Sequence, residues 1–203
     1  MTKIKLCGLF RPCDIEAANG LMPEYIGFVF ASKSPRYIYP QKAAELRLIL
    51  KREIKAVGVF VGERAENIAD LLNAGVIDIA QLHGGESEEY IKSLRYLTDK
   101  PIIKAFRIDG PDDVRQAEKC SADYVLLDSG NGGTGTAFEW ELIKNIKRPY
   151  FLAGGLDAEN VGKAVNMLKP YAVDVSSGIE TNGLKDGIKM ADFVAAVRKE
   201  DEK

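Results

Sequence analysis

An aspartate at the end of a buried apolar run is the residue that most strongly suggests chemistry in this sequence. Residues 124–127 are apolar and run directly into Asp128, and the glycine-rich stretch 129–135 follows. A short apolar run bounded by turn residues indicates a fully buried parallel strand. A carboxylate at the carboxyl end of such a strand lies where barrels and open sheets hold catalytic groups. The alternative is that Asp128 only starts a turn, which aspartate favours.

A cysteine at the end of another predicted strand is the second candidate. Cys7 ends the segment 4–7, so in a parallel sheet it lies at the same edge as the aspartate. A thiol acts as a base only as thiolate, and its ordinary pKa of about 8.5 has to be lowered by nearby cations or dipoles. Lys5, on the same strand face, either assists Cys7 or pairs with an interior acid such as Asp174. The simpler alternative is a small buried apolar residue.

Two short loops after the last two predicted strands carry small residues suited to an anion. One contains Gly154 and Gly155, and the other contains Ser177 and Gly178. Glycine lets backbone N–H groups approach a ligand closely, and a helix N-terminus that follows attracts negative charge. In eight-stranded barrels these loops often hold a phosphate. We therefore predict a phosphate site at these four residues, against the alternative that the glycines only form tight turns.

Three further side chains lie near predicted strand ends. Arg36 follows the second strand, behind Pro35, which stiffens the loop. Arginine binds a carboxylate or phosphate through two parallel hydrogen bonds, and the alternative is a solvated surface residue. His83, the only histidine, and Arg107 end the fourth and fifth strands. Each of these two either lines a pocket or serves only the rim.

The elements that must position these residues alternate regularly along the chain. Strands are predicted at 4–7, 25–30, 55–61, 77–82, 102–106, 123–127, 150–153 and 172–176. Helices are predicted at 14–19, 40–51, 64–73, 86–97, 111–120, 138–146, 158–168 and 186–199, with Gly20 ending the first. Eight strand–helix units in 203 residues predict an α/β fold, a parallel sheet closed into a single (β/α)8 barrel domain spanning 1–203. The alternative is an open doubly wound sheet, which is less favoured because the first turn lacks Gly-x-Gly-x-x-Gly spacing.

The composition excludes several classes of partner. Net charge is −2, so nothing indicates nucleic acid or an anionic membrane as the partner. Lys3, Lys5 and Arg11 interrupt any signal-peptide core, and no apolar run approaches the roughly 20 residues of a membrane span. We therefore expect a cytoplasmic protein, a monomer or homodimer, that acts on a small molecule.

The cysteines argue against a disulfide framework or a zinc site, because there are only three and they lack metal-ligand spacing. Cys13 directly precedes the first predicted helix and Cys120 ends the fifth, and we expect packing roles for both. We expect neither a metal nor a cofactor.

Motifs along the whole chain together resemble the phosphoribosylanthranilate isomerase family of tryptophan biosynthesis. No single motif is specific, whereas the combination is. The matching segments are KLCG at 5–8, GFVF at 27–30, SPRYI at 34–38, VGVFV at 57–61, QLHG at 81–84, KAFR at 104–107, LDS at 127–129 with GGTG at 132–135, LAGGL at 152–156, VDVSSGIE at 173–180 and GLKD at 183–186.

The resemblance implies a TIM barrel that catalyses an Amadori rearrangement by general acid–base catalysis. The substrate is N-(5'-phosphoribosyl)anthranilate, a phosphosugar, and the product is 1-(2-carboxyphenylamino)-1-deoxyribulose 5-phosphate. Carried over from the family, Cys7 is the general base at C2′ of the sugar, and Asp128 is the general acid at the ring oxygen. Arg36 is expected to hold the anthranilate carboxylate. Asp128 then has to keep a proton near neutral pH, so we expect partial burial to raise its pKa.

The sequence departs from the family pattern at Phe10, Gly62 and Gly85, which affects loop packing rather than the proposed catalytic groups. A dual-substrate isomerase that also takes a histidine-pathway intermediate is one alternative, but such barrels carry an aspartate where this chain has Cys7. A non-catalytic barrel that binds a phosphate ligand is another, since a fold alone does not establish function. We also hypothesise that the loop 129–135 closes over the substrate.

Overall fold

The computed structural model describes residues 1–128 and 137–202, and its centre is a closed parallel barrel. Each strand pairs with the next, and β8 pairs with β1. The predicted barrel is confirmed, and the open-sheet alternative is wrong. The strands are β1 Lys3–Cys7, β2 Tyr25–Val29, β3 Lys55–Phe60, β4 Ile79–Leu82, β5 Ile102–Arg107, β6 Tyr124–Asp128, β7 Tyr150–Ala153 and β8 Ala172–Val175.

A helix follows each strand and packs on the outside of the barrel through a continuous apolar layer. The helices are α1 Pro12–Leu21, α2 Pro40–Ile49, α3 Ala65–Asn73, α4 Glu88–Leu97, α5 Pro111–Lys119, α6 Ala137–Ile143, α7 Val161–Leu168 and α8 Gly187–Asp201. In the described part of the chain, no helix combines the length and the apolar character that a membrane crossing requires.

The first helix is longer than predicted at both ends. It begins at Pro12, whose missing N–H is harmless in the first turn. It continues through Gly20 to Leu21 and is capped by Met22, which takes the left-handed conformation with φ 52° and donates its N–H to the Ala18 carbonyl. Gly20 therefore does not end the helix as predicted, because Met22 provides the left-handed residue that closes it. Cys13 on this helix is exposed, so its predicted packing role is wrong, whereas Cys120 is buried as expected.

A small hairpin beyond β8 was not predicted. A 3-10 turn at Ser177–Ile179 leads into β9, Glu180–Thr181, which pairs antiparallel with β10, Leu184–Lys185. Two-residue strands are too short to show alternation. The available signal is Asn182-Gly183 at the tip, where φ is 53° and 76°. Two successive positive φ values are what a two-residue hairpin turn requires, and Asn-Gly is its favoured sequence.

Aromatic rings close the amino-terminal end of the barrel. Phe151 is fully buried, and its ring centroid lies 5.4 Å from that of Tyr25, 5.8 Å from Tyr124 and 5.7 Å from Tyr171. Lys3 Nζ donates to the Tyr171 hydroxyl at 2.6 Å and lies over its ring. Because this floor is packed with rings, we expect a ligand to reach the interior from the carboxyl ends of the strands.

Above this floor, an ion pair occupies the middle of the barrel. Lys5 Nζ lies 2.9 Å from Asp174 Oδ1, and the two side chains are 0% and 9% exposed. The residues are direct neighbours in the register between β1 and β8. Burial alone disfavours the charged ammonium, yet the pKa of Lys5 is raised because the Asp174 carboxylate and the Cys7 side chain favour it. Of the two roles left open for Lys5, the structure shows the pairing with Asp174.

We expect Asp174→Asn to lower the free energy of unfolding by about 3–5 kcal/mol, because it leaves the Lys5 ammonium buried without a counter-charge. Urea unfolding followed by the fluorescence of Trp140, the single tryptophan, measures the change. The double variant Lys5→Met, Asp174→Leu is the control, since replacing both charges restores most of the loss. A loss below about 1 kcal/mol in the single variant would show that the pair is unimportant for stability.

Candidate active site

A cavity of about 410 Å³ opens at the carboxyl ends of the barrel strands, a volume suited to a small-molecule ligand. Six of the seven predicted site residues line it: Cys7, Arg36, Asp128, Gly154, Gly155 and Ser177. Gly178 is not among the lining residues, and it packs closely against Leu156, which is one of them. The other lining residues are Val29, Ala31, Ser34, Val59, Val61, Gln81, His83, Ala153, Leu156, Asp174 and Ser176.

Cys7 forms part of the inner wall of this cavity. Its side chain is 7% exposed and packs with Val29 and Val59. Gly27, opposite on β2, makes room for the thiol, because a Cβ there would lie 2.6 Å from Cys7 Sγ. A larger residue at Gly27 would therefore displace the sulfur.

The pKa of the Cys7 thiol is raised, not lowered as a base role required. Burial is the main cause, and it outweighs the attraction of Lys5 and Lys185 for a thiolate. The Asp174 carboxylate opposes that attraction. The lowered pKa that a thiolate base needs is therefore not found in the free protein, because burial of the thiol outweighs the neighbouring cations.

Arg36 is held in place by Glu180 of the β9–β10 hairpin. Its Nε lies 2.6 Å from Glu180 Oε1 and its Nη2 lies 2.8 Å from Oε2. These two bonds use one edge of the guanidinium, and no described residue binds the edge formed by Nη1 and the second Nη2 proton. Gly8, with φ 80°, allows this placement, because a Cβ there would lie 2.6 Å from Arg36 Cδ. Arg36 is therefore a positioned side chain and not a solvated one.

Lys185 anchors the same hairpin to the barrel. Its Nζ donates to Glu180 Oε1 at 2.6 Å and to the Ser176 carbonyl at 2.8 Å. Burial lowers the pKa of Lys185 although the Glu180 carboxylate opposes the change. Sequence reasoning assigned no role to Glu180 or Lys185, because both act through the hairpin that it missed. The Asn-Gly pair between them was the only local signal.

Asp128 ends β6 at the cavity wall, and His83 lies beside it. His83 Nε2 is 3.7 Å from Asp128 Oδ2, and the two side chains are 37% and 30% exposed. Of the two roles left open for His83, lining a pocket or serving only the rim, the structure shows the first. Arg107 pairs with Asp109 at 3.0 Å, is 60% exposed and does not line the cavity, which leaves it at the rim.

The loops after β7 and β8 pack tightly on each other. Gly154 and Gly155 have φ of 100° and 60°, a region that favours glycine. Asn160 braces the first loop by donating to the Gly155 carbonyl at 2.8 Å. A Cβ on Gly178 would overlap the Leu156 carbonyl, so only glycine fits there. Both loops bring backbone groups to the cavity. However, α7 begins only at Val161, later than predicted.

The three departures from the family pattern leave the cavity open. Phe10 is partly buried against the outer apolar layer and does not line the cavity. Gly62 has φ 61°, and its N–H donates to Glu86 Oε1 at 2.8 Å. A Cβ on Gly85 would meet no atom within 4 Å. The hypothesis that the loop 129–135 closes over the substrate lies outside the described residues. Within the described ranges, no cluster of three His, Cys, Asp or Glu side chains is arranged to hold a metal.

Comparison with known proteins gives consistent results along the chain. A sequence model of N-(5'phosphoribosyl)anthranilate (PRA) isomerase matches residues 4–196. The N-(5'-phosphoribosyl)anthranilate isomerase of Endomicrobium trichonymphae is 43% identical over 202 residues, covering 98% of this chain and 99% of that protein.

Solved structures show the same similarity. Phosphoribosyl anthranilate isomerase from Thermotoga maritima matches with a TM-score of 0.89 and 33% identity, covering 98% of this chain and 100% of that one. A phosphoribosyl anthranilate isomerase in complex with reduced 1-(o-carboxyphenylamino)-1-deoxyribulose 5-phosphate matches with a TM-score of 0.87 and 32% identity, at the same coverage. With its barrel, its cavity and its motifs in agreement with these relatives, the chain belongs to the N-(5'-phosphoribosyl)anthranilate isomerase family.

Proposed function

We propose that this barrel performs the reaction of its family through Cys7 and Asp128. The reaction is the Amadori rearrangement of N-(5'-phosphoribosyl)anthranilate to 1-(2-carboxyphenylamino)-1-deoxyribulose 5-phosphate in tryptophan biosynthesis. The observation that carries the proposal is that a thiol on β1 and a carboxylate on β6 line one cavity. The loops after β7 and β8, which lie between those two strands around the barrel, face the same cavity.

The two ends of the substrate are anionic, and the cavity offers a different group to each. The backbone of Gly154, Gly155 and Ser177, with Gly178 packed against the Leu156 carbonyl, receives the phosphate. The second edge of the Arg36 guanidinium receives the anthranilate carboxylate through two parallel hydrogen bonds. A ligand of this kind is supported by the related isomerase in complex with reduced 1-(o-carboxyphenylamino)-1-deoxyribulose 5-phosphate, which carries both a phosphate and an aromatic carboxylate.

One acid and one base suffice for the proton transfers. Asp128 gives a proton to the ring oxygen as the furanose opens, and Cys7 removes the proton from C2′ to form the enolamine. The raised pKa of Cys7 makes the thiolate scarce in the free protein, but each thiolate is then a stronger base. The raised pKa expected for Asp128 stays a prediction.

The two alternatives account less well for the residues of the cavity. A dual-substrate barrel would carry an aspartate at the end of β1, where this chain has Cys7. A pure phosphate binder has no need of an acid and a base in the same cavity. We propose a cytoplasmic enzyme whose residues 1–203 form one catalytic domain acting on a phosphosugar without a cofactor, as monomer or homodimer.

We expect Asp128→Asn to keep the fold and to reduce kcat by about 10²–10⁴-fold, because the amide gives up no proton to the ring oxygen. Loss of substrate fluorescence on freshly prepared phosphoribosylanthranilate measures turnover. The matched control is Asp109→Asn, an exposed carboxylate on the same rim outside the cavity, which should stay within about twofold of wild type. Near-normal turnover by Asp128→Asn would exclude the acid role, and an inactive wild type would exclude the reaction.

We expect alkylation of Cys7 by iodoacetamide to rise about tenfold per pH unit from roughly pH 7 to 9, without a plateau. The thiolate is the reactive form, and a raised pKa moves its half-titration point upward, so the plateau shifts above the ordinary range of a thiol. The variant Cys13→Ser, Cys120→Ala leaves Cys7 as the only thiol. A plateau near neutral pH would mean that the neighbouring cations outweigh burial.

We expect Gly178→Ala to raise both KM and the inhibition constant of inorganic phosphate by roughly tenfold, with a smaller change in kcat. The added methyl group overlaps the Leu156 carbonyl and displaces the loops after β7 and β8, to which the proposal assigns phosphate binding. Gly85→Ala is the control, since its methyl group meets no neighbour within 4 Å. Unfolding by urea shows whether each variant is folded. If a folded Gly178→Ala binds phosphate as wild type does, the loops are not the phosphate site.

A further inference from the structure

A buried glutamine in the cavity wall has a hydrogen-bond partner for its amide nitrogen but none among the described residues for its amide oxygen. Gln81 lies on β4, is 1% exposed and lines the cavity. Its Nε2 is 2.9 Å from His83 Nδ1. Its Oε1 has no hydrogen-bond partner among the described residues. A buried carbonyl oxygen without a partner is costly and rare in folded proteins, so its retention in a ligand cavity needs an explanation.

The contact with His83 determines where the imidazole carries its proton. A neutral imidazole has one N–H and one acceptor nitrogen. If the Gln81 amide donates to Nδ1, then Nδ1 is the acceptor and the proton is on Nε2. Nε2 is the atom that faces Asp128 Oδ2 at 3.7 Å. The amide therefore directs the N–H of His83 toward the carboxylate that the proposed mechanism uses.

We propose that Gln81 is a positioning residue for this reaction: its amide group holds His83 as the Nε2–H tautomer facing Asp128, and its Oε1 accepts a hydrogen bond from a sugar hydroxyl of the substrate. The inference rests on the proposed function. It adds two residues to the mechanism, His83 as the donor beside the acid and Gln81 as the residue that orients it.

The chemical benefit arises when Asp128 loses its proton. The acid becomes a carboxylate as the ring oxygen is protonated, and an N–H directed at that carboxylate stabilises the new charge. The separation of 3.7 Å is longer than a hydrogen bond in the substrate-free protein. Catalytic hydrogen bonds are often long before the substrate binds and shorten in the complex. Nothing in this arrangement needs His83 to be charged.

The single histidine makes the tautomer directly measurable. In protein labelled with ¹⁵N-histidine, one pair of ring nitrogen signals reports which atom carries the proton. We expect the proton on Nε2 in wild type. Gln81→Glu replaces the donor with a carboxylate, so the proton should move to Nδ1 or occupy both nitrogens. Gln41→Met, at an exposed position on α2, is the control and should leave the signals unchanged. A wild-type protein with its proton on Nδ1 overturns the proposal, whether or not the variants fold.

Kinetic measurements distinguish the two proposed hydrogen bonds of the Gln81 side chain from a purely structural role. Gln81→Met removes donor and acceptor while keeping the length of the side chain. We expect it to lower kcat and raise KM by about tenfold each, the loss of roughly one hydrogen bond in each case. Unchanged kcat and KM in the folded variant would overturn the proposal. A wild-type enzyme that does not turn over phosphoribosylanthranilate would refute the proposed function, while the tautomer would still be decided by the ¹⁵N signals.

Discussion

A charge pair buried in the middle of the barrel sets the conditions for the cavity above it. Lys5 and Asp174 lie 169 residues apart in sequence and 2.9 Å apart in the structure. Each charge stabilises the other at a buried position where an isolated charge would strongly destabilise the fold. Burial raises the pKa of the Cys7 thiol beside this pair, and the Asp174 carboxylate opposes the lowering effect of Lys5. The polar layer between the aromatic rings at one end of the barrel and the cavity at the other end therefore depends on Lys5 and Asp174, which come from neighbouring strands.

The hairpin after β8 organises the part of the cavity opening near β8, β1 and β2. Glu180 occupies one edge of Arg36, and Lys185 fixes Glu180 to the Ser176 carbonyl. The guanidinium is therefore oriented before any ligand arrives, and less side-chain freedom is lost when an anion binds. Through Glu180 and Lys185, this hairpin connects Arg36, which follows β2, with the loop after β8 that carries Ser177.

The sequence predicts the features that depend on local pattern. Apolar runs ending in polar residues located Cys7 and Asp128 at the same edge, because parallel strands present their carboxyl ends together. It could not predict the direction of the Cys7 pKa shift, which depends on burial and on a partner of Lys5 far along the chain. The role of Glu180 depends on a hairpin whose strands are only two residues long. The proposed role of Gln81 depends on its contact with the His83 ring. In each case the missing information is a contact in three dimensions.

The aromatic floor also has a kinetic consequence. Phe151 and its surrounding tyrosines pack across the amino-terminal end of the barrel, whereas the cavity formed by the described residues opens at the carboxyl ends of the strands. In the proposed assignment, substrate and product enter and leave through that opening, and both present a phosphate and an aromatic carboxylate to the same groups. The two molecules are therefore mutually exclusive occupants. Accumulated product acts as a competitor, and the net direction of flow is governed by how quickly the next step in the pathway removes it.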